Sequence, residues 1–353
     1  MQELGLGILG FAHGHVGMYC ARWREHPEFG VRVVAGWDHD AGRALENCKK
    51  HGLEAVPSAE ALLNRRDIGA VIVTAETSRH ADLVEQAAAA GKAIVLQKPI
   101  ALTLEEAERI VAAVKGAGVP FTLAWQMRVD PHNLQIKSLL AGGQFGRVFM
   151  VRRRHCLPTQ QWKDFDKAWH VQPALNRDIF ADDAAHAVDF IYWLLGSPVS
   201  VIAELGTLLN PKIPNDNAIA VFRYADGKFA EVSCTFVALA GENVTEVICE
   251  NGVIIGNYGD VPSCNVPRPP GAGPQLKWFL QETGNWTASE LPEIKSHGER
   301  IAGLAGPLGE FLCGKRPPIA TAEEGRDVLR LVLACYESAG QGKRVNVARA
   351  FSP

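Results

Sequence analysis

The N-terminal third of the chain alternates short apolar runs with helix-length segments, and that alternation leaves few folds open. Residues 4–9, 31–36, 70–74, 93–96 and 121–124 read as buried strands. Between them, residues 15–26, 41–51, 79–90 and 103–116 read as helices. Gly91 closes the third of these helices, and Thr103 with Glu106 makes a capping box at the start of the fourth. Strands alternating with helices build right-handed βαβ units on a parallel sheet. Residues 1–123 are therefore expected to form a doubly wound α/β domain.

After residue 123 the pattern changes. A helix is expected near residues 130–140. Strand-like runs then follow one another closely, at 147–154, 199–208, 218–224, 229–237, 244–249 and 253–257. Ala225-Asp226-Gly227 and Asn251-Gly252 are hairpin signals between them. Consecutive strands with tight turns predict an α+β domain over 124–353 with a large, mostly antiparallel sheet. Helices at 183–195, 299–313 and 323–339 are expected to cover one face of it, and the Pro- and Gly-rich stretch 262–274 is expected to be a loop. A length of 353 residues suits two such domains.

A formal net charge of -3 argues against a nucleic-acid partner. Arg152-Arg153-Arg154 reads as a strand whose side chains alternate between faces. No apolar run is long enough for a membrane span. The eight cysteines are scattered without a C-x-x-C pair, which suits a reducing, cytoplasmic compartment. His155, His170, Asp182 and His186 do not have the spacing of a zinc motif, so no metal is expected.

The loop after the first strand reads Gly10-Phe11-Ala12-His13-Gly14-His15. A strand, a glycine turn and a helix N-terminus together bind a dinucleotide pyrophosphate, as in the Rossmann G-x-G-x-x-G fingerprint. Gly10 meets the first requirement of that fingerprint. Ala12 stands at the second glycine and His15 at the third, with Gly14 and Gly17 displaced nearby. His13 and His15 either begin the helix or reach a ligand. Asp38, at the end of the second strand, is placed to accept a ribose 2′-hydroxyl and to repel a 2′-phosphate, which favours NAD over NADP. Lys98, in Gln97-Lys98-Pro99, follows the fourth strand at the carboxyl edge of the sheet, where ligands bind. Its bond to Pro99 is a candidate for the cis form. In the second half, Asp182, His186 and Asp189 have helical spacing, and Asp182 with His186 suggests an acid/base pair.

These pieces together resemble the Gfo/Idh/MocA oxidoreductases over nearly the whole chain. Gln97-Lys98-Pro99 resembles the family's Glu-Lys-Pro motif, and Asp182-x-x-x-His186-x-x-Asp189 resembles its active-site helix. The C-terminal stretch from Gly314-Lys315-Arg316-Pro317-Pro318 to Gly342 is similar to the family's closing helix region. The resemblance implies an N-terminal Rossmann domain and a C-terminal domain whose open-faced sheet pairs subunits into a homodimer or homotetramer. It implies hydride transfer between NAD(P) and a secondary hydroxyl of a sugar, cyclitol or related polyol. Lys98, Asp182 and His186 would be the catalytic group, with Arg128 and His155 near the substrate. Gly10, Phe11, Ala12, His13, Gly14, His15, Asp38, Ala75, Glu76, His80, Gln97 and Lys98 would line the cofactor. A redox-assisted glycosidase or lyase and a non-catalytic dinucleotide-binding regulator are the rival readings. Three departures stand out: the altered glycine loop, Gln97 for glutamate, and Ala75-Glu76 for Thr-Pro at what should be the nicotinamide end. Trp162, Trp169 and His170 are candidates for pocket walls, with core filling as the alternative.

Overall fold

A computed structural model describes residues 3–240, 243–257, 266 and 271–347. The chain divides into two compact units. The first runs to Val129 and takes in Pro173–Asn176 and Gly298–Leu329; the second holds Asp130–Gln172, Arg177–His297 and the chain from Arg330 onward.

The first unit is built on six parallel strands: β1 (Leu4–Leu9), β2 (Val31–Trp37), β3 (Glu54–Ala55), β4 (Ala70–Val73), β5 (Ala93–Leu96) and β6 (Phe121–Leu123). Their order is β3-β2-β1-β4-β5-β6. The order reverses between β1 and β4, and the crevice beyond the carboxyl ends there is the ligand position of such sheets. Helices α1 (His15–Glu25), α2 (Ala41–His51), α3 (Ala59–Leu63), α4 (His80–Ala89) and α5 (Leu104–Ala117) connect the strands. All four residues of β4 are buried, as expected of a central parallel strand covered on both faces. The capping box at the start of α5 is present, with Thr103 Oγ1 accepting the Glu106 N–H and the Glu106 side chain accepting the Thr103 N–H.

The second unit carries α6 (Pro131–Ala141) and nine strands: β7 (Val148–Cys156), β8 (Ser200–Gly206), β9 (Asn217–Arg223), β10 (Phe229–Thr235), β11 (Val244–Cys249), β12 (Gly252–Gly256), β13 (Leu276–Leu280), β14 (Asn285–Ala288) and β15 (Val345–Asn346). Their order is β14-β13-β12-β11-β7-β10-β9-β8-β15. Every pair is antiparallel except β7 with β10. Alternation sets the faces. Val151, Arg153 and His155 of β7 are buried, whereas Arg152 and Arg154 are exposed. Helix α8 (Ala185–Leu195) packs on the buried face, against β7 and β10. On the other face Arg152 bridges Glu231 and Glu246 of the neighbouring strands. Most of the stretch 262–274 lies outside the described residues.

One expectation needs correction. The segment 299–313 was expected on the antiparallel sheet, but Gly298–Leu329 belongs to the first unit. There α10 (Ala305–Leu312) meets α1, and the Trp23 indole N–H donates to the Ala305 carbonyl at 2.9 Å. Cys313 Sγ lies 3.6 Å from the Gly30 carbonyl. The sequence shows amphipathic helices but not which of two apolar surfaces they cover. A single cut after residue 123 therefore misses the return of the chain, through α7 (Pro173–Asn176) and again through Gly298–Leu329. Helix α9 (His297–Ala302) opens the second return, and α11 (Ala322–Gln341) leads from it to β15.

Trp23 is 2% exposed. Trp23→Ala should cost about 3–5 kcal/mol of stability, as for other large core aromatics, and Trp23→Phe should cost nearer 1–2 kcal/mol through the Ala305 carbonyl left unsatisfied. Urea denaturation of both variants checks this; equal midpoints for Trp23→Ala and wild type would refute the placement of α10.

Candidate functional site

The glycine loop is held by backbone approach at the switch point. Gly10 has φ +89°, and a Cβ there would lie 2.4 Å from the Ala75 Cα, so only glycine fits. Thr74 Oγ1 donates to the Gly10 carbonyl, and the His13 N–H donates to the Thr74 carbonyl at 2.9 Å. The loops after β1 and β4 are thus sewn together. Phe11 is core: its ring packs on Gly36, and its N–H donates to Asp38 Oδ2 at 2.6 Å. Ala12 is half-buried. Gly14 caps α1, and a Cβ on it would meet nothing within 4 Å. An open helix N-terminus with no acidic residue in its first turn fits a pyrophosphate. The residues present therefore fit a dinucleotide.

His13 is buried, and its Nδ1 faces the His15 N–H at 3.5 Å, with the two rings 4.2 Å apart. His13 thereby helps to begin the helix. His15 reaches instead towards Gln97, whose Nε2 lies 3.4 Å from the His15 Nδ1. The fully buried Gln97 also donates to the Tyr19 hydroxyl at 3.2 Å and accepts the Lys98 N–H on Oε1 at 3.1 Å. Burial pushes the Tyr19 hydroxyl pKa well up. Lys98 is 3% exposed, at the carboxyl end of β5, and the Lys98–Pro99 bond is cis as expected.

His80 ties this edge together. Its Nε2 faces the Ala75 carbonyl at 3.2 Å, and its Nδ1 faces the Pro99 and Ile100 carbonyls at 3.0 and 3.3 Å. It braces the backbone at Ala75, where Gly10 makes contact, and the two residues that follow Lys98. Burial lowers its pKa to about 4, against the pull of those carbonyls.

Asp38 ends β2 as expected. Burial opposes its ionisation, but hydrogen bonds from Arg43, the Asp40 N–H and the Phe11 N–H outweigh burial and hold its carboxyl below the usual range. Arg43 donates to Asp38 through Nε and Nη2, at 2.7 and 2.8 Å, and on to Glu76 Oε1 at 2.8 Å. Glu76, expected at the nicotinamide end, therefore stands at the β2 end beside Asp38. Arg43 was not foreseen. Its signal was an arginine one helical turn into α2, on the side facing the strand-end acid.

Arg128 belongs to the first unit. It is buried, pairs with Glu324 at 2.8 Å and donates to the Ile319 carbonyl at 3.3 Å.

The second unit places His155 on β7 and His186 on α8, with ring centroids 5.7 Å apart. Helical spacing predicted Asp182 as the acid of this helix. The turn Phe180–Ala184 is wound as a π-helix, and its Asp183 Oδ1 lies 3.6 Å from His155 Nε2 and 3.9 Å from His186 Nε2. Asp182 is buried in the same turn, and Asp189 is fully buried further along α8. Asp183 stands three residues before His186, a spacing that also shares a helix face, so spacing alone does not choose between it and Asp182. Trp162 is 41% exposed and not core; Trp169 stacks on His170 at 4.0 Å. Among the described residues no cluster of His, Cys, Asp or Glu suits a metal, and no helix is long and apolar enough to cross a membrane.

The sheet reversal between β1 and β4, the glycine loop at the start of α1 and a buried lysine at the same edge are the features of a dinucleotide-binding domain. The family comparisons agree. Residues 4–124 match the oxidoreductase family with an NAD-binding Rossmann fold, and residues 133–255 match the GFO/IDH/MocA C-terminal domain. The chain belongs to the Gfo/Idh/MocA family of NAD-binding oxidoreductases. It is 31% identical over 208 residues to an inositol 2-dehydrogenase of Rhizobium meliloti (strain 1021), covering 58% of this chain and 61% of that one. The match therefore spans less than two thirds of that relative's length. It is 26% identical over 365 residues to a D-apiose dehydrogenase of Paraburkholderia graminis, covering 98% and 88% of the two chains. Among solved structures, a levoglucosan dehydrogenase in complex with NADH and levoglucosan aligns with a TM-score of 0.83 at 20% identity, covering 99% and 100%. These likenesses confirm the Rossmann domain and the mixed second sheet.

The His80 environment makes a pH prediction. The unfolded chain protonates this histidine near pH 6.5, whereas the folded protein keeps it neutral to about pH 4. Between those values the unfolded state binds more protons, so stability falls as pH drops through the window. The full loss is about 3 kcal/mol; the effect is absent above the window and constant below it. Urea midpoints measured from pH 7 to 4.5 should slope downward in wild type and less so in His80→Gln. Equal slopes would sink the assignment.

Proposed function

We propose that the chain is an NAD-dependent dehydrogenase acting on a secondary hydroxyl of a sugar, cyclitol or related polyol. The observation that carries this reading is Lys98. It is an almost fully buried lysine at the carboxyl edge of a parallel sheet, next to a glycine loop shaped for a pyrophosphate. A lysine in such a place is rare without a function. The family match, and the names of relatives that act on inositol and D-apiose, support the substrate class.

Gly10, Ala12, Gly14 and the start of α1 would hold the pyrophosphate, with Ala75, His80 and Gln97 shaping the loops around it. Carboxylates at the β2 end support NAD over NADP, since a 2′-phosphate would meet Asp38 and Glu76. Bound NAD supplies the acceptor for the hydrogen removed from carbon. The Lys98 ammonium donates a hydrogen bond to the substrate oxygen and stabilises charge as its proton leaves. The His186 imidazole takes that proton, its pKa class being suited to neutral pH. Asp183 Oδ1, 3.9 Å from the His186 Nε2, places a negative charge beside the ring that receives the proton. Asp182, in the turn leading into α8, would orient His186 or bind a neighbouring hydroxyl, and His155 lies 3.6 Å from the Asp183 carboxylate. Subunits would pair through the outer face of the large sheet, where Ile202 and Ile219 are exposed. Thiols rather than disulfides at Cys20, Cys48, Cys234, Cys249 and Cys335 support a cytoplasmic setting.

The test is NADH formation across a panel of polyols, sugars and sugar acids. Lys98→Ala should lower kcat by roughly 100-fold or more while changing NAD affinity by less than about threefold, because the lost interaction forms in the transition state. Near-normal turnover would remove Lys98 from the reaction. Transient oxidation without NADH accumulation would favour the glycosidase or lyase chemistry.

A further inference from the structure

The acid that ends β2 has no capacity left for a ligand. The Asp38 side chain is 0% exposed, and its oxygens already accept the Phe11 N–H and Arg43 Nε on Oδ2 and the Asp40 N–H and Arg43 Nη2 on Oδ1. A carboxylate offers about four lone-pair directions, and all of these are used. Both protons of Arg43 Nη2 are committed as well, one to Asp38 Oδ1 and one to Glu76 Oε1.

Glu76 differs. It is 4% exposed, and its Oε2 is buried and accepts no hydrogen bond. The nearest basic nitrogens to it, His39 Nδ1 at 3.6 Å and Arg79 Nε at 3.9 Å, lie beyond hydrogen-bond range. Leaving a buried carboxylate oxygen without a donor is costly. This one stands just past β4, the strand on one side of the switch point, and one guanidinium away from the β2 end.

We propose that Glu76, and not Asp38, is the carboxylate that receives the 2′-hydroxyl of the adenosine ribose, and that its charge is the main element excluding a 2′-phosphate. Asp38 is then the anchor of the glycine loop through Phe11, and Arg43 is the bridge that positions Glu76. The assignment rests on the NAD reading above. With Glu76 neutralised, the Arg43 guanidinium would be released towards a phosphate.

Binding of NAD, 2′-deoxy-NAD and NADP to the full chain, by calorimetry or fluorescence, tests this without turnover. Wild type should bind NAD roughly ten- to a hundredfold more tightly than 2′-deoxy-NAD, the worth of a hydrogen bond to a charged group. In Glu76→Gln and in Glu76→Asp that ratio should fall towards one. Glu76→Gln alone should gain affinity for NADP, because Glu76→Asp keeps the charge while withdrawing its reach. Thermal melting confirms that each variant is folded, and either one suffices. A folded variant that keeps the wild-type ratio overturns the assignment and leaves the dehydrogenase reading standing. Wild type that binds none of the dinucleotides overturns that reading itself.

Discussion

The chemistry of the first unit depends on one close approach, Gly10 against Ala75. A backbone with φ +89° and no side chain lets the loop after β1 touch the loop after β4. Thr74 then reaches the Gly10 carbonyl, and the His13 N–H reaches Thr74. From Ala75 the same contact passes through the His80 ring to the carbonyls of Pro99 and Ile100, which follow Lys98. The phosphate loop and the candidate catalytic lysine are therefore not independent placements. Both are consequences of three parallel strands whose ends are tied by backbone groups, which is a rigid way to position a reacting group.

Much of this was legible in the sequence. Strands β1, β2, β4, β5 and β6 were visible as apolar runs ending in Gly or polar residues, and the strand-end positions of Asp38 and Lys98 follow directly from them. Side-chain choice at the same edge was not legible. Glu76 was read as lining the nicotinamide end because position along one strand says nothing about which neighbouring loop a long side chain meets. Arg43 decides that question, and its role is visible only when β2 and β4 lie on opposite sides of β1.

In the second unit the limit of the sequence reading was the choice between adjacent carboxylates. Periodicity of 3.6 puts both Asp182 and Asp183, four and three residues before His186, near its side of the helix. Asp183, three residues before His186, lies 3.6 Å from His155 Nε2 and 3.9 Å from His186 Nε2, in the π-wound turn that leads into α8. His155 arrives from β7 by the alternation of that strand, which was predictable. Its meeting with α8 was not, because the parallel pairing of β7 with β10 in an otherwise antiparallel sheet sets where β7 runs. Wide turns of this kind cost hydrogen-bond geometry and tend to persist where they aim a side chain.

Two of the departures from the family pattern are a single change. His15 stands where the fingerprint has its third glycine, and Gln97 stands where the lysine motif has glutamate. The structure brings the two side chains within 3.4 Å of each other. A fully buried residue 97 must satisfy the Lys98 N–H and the Tyr19 hydroxyl without water. An amide does this neutrally, offering one acceptor and two donors, and its second donor direction suits an imidazole lone pair. A glutamate would need donors on every side and would place a charge in a site with no exposed surface, at a desolvation cost of several kcal/mol. With histidine in the loop and glutamine in the motif, the α1–β5 contact closes through side-chain hydrogen-bonding groups. Lys98 is then left beside it without a carboxylate on the preceding residue. The altered glycine loop is therefore a compensated variant of the site, because the residue that breaks its signature is the one that holds Gln97 in place.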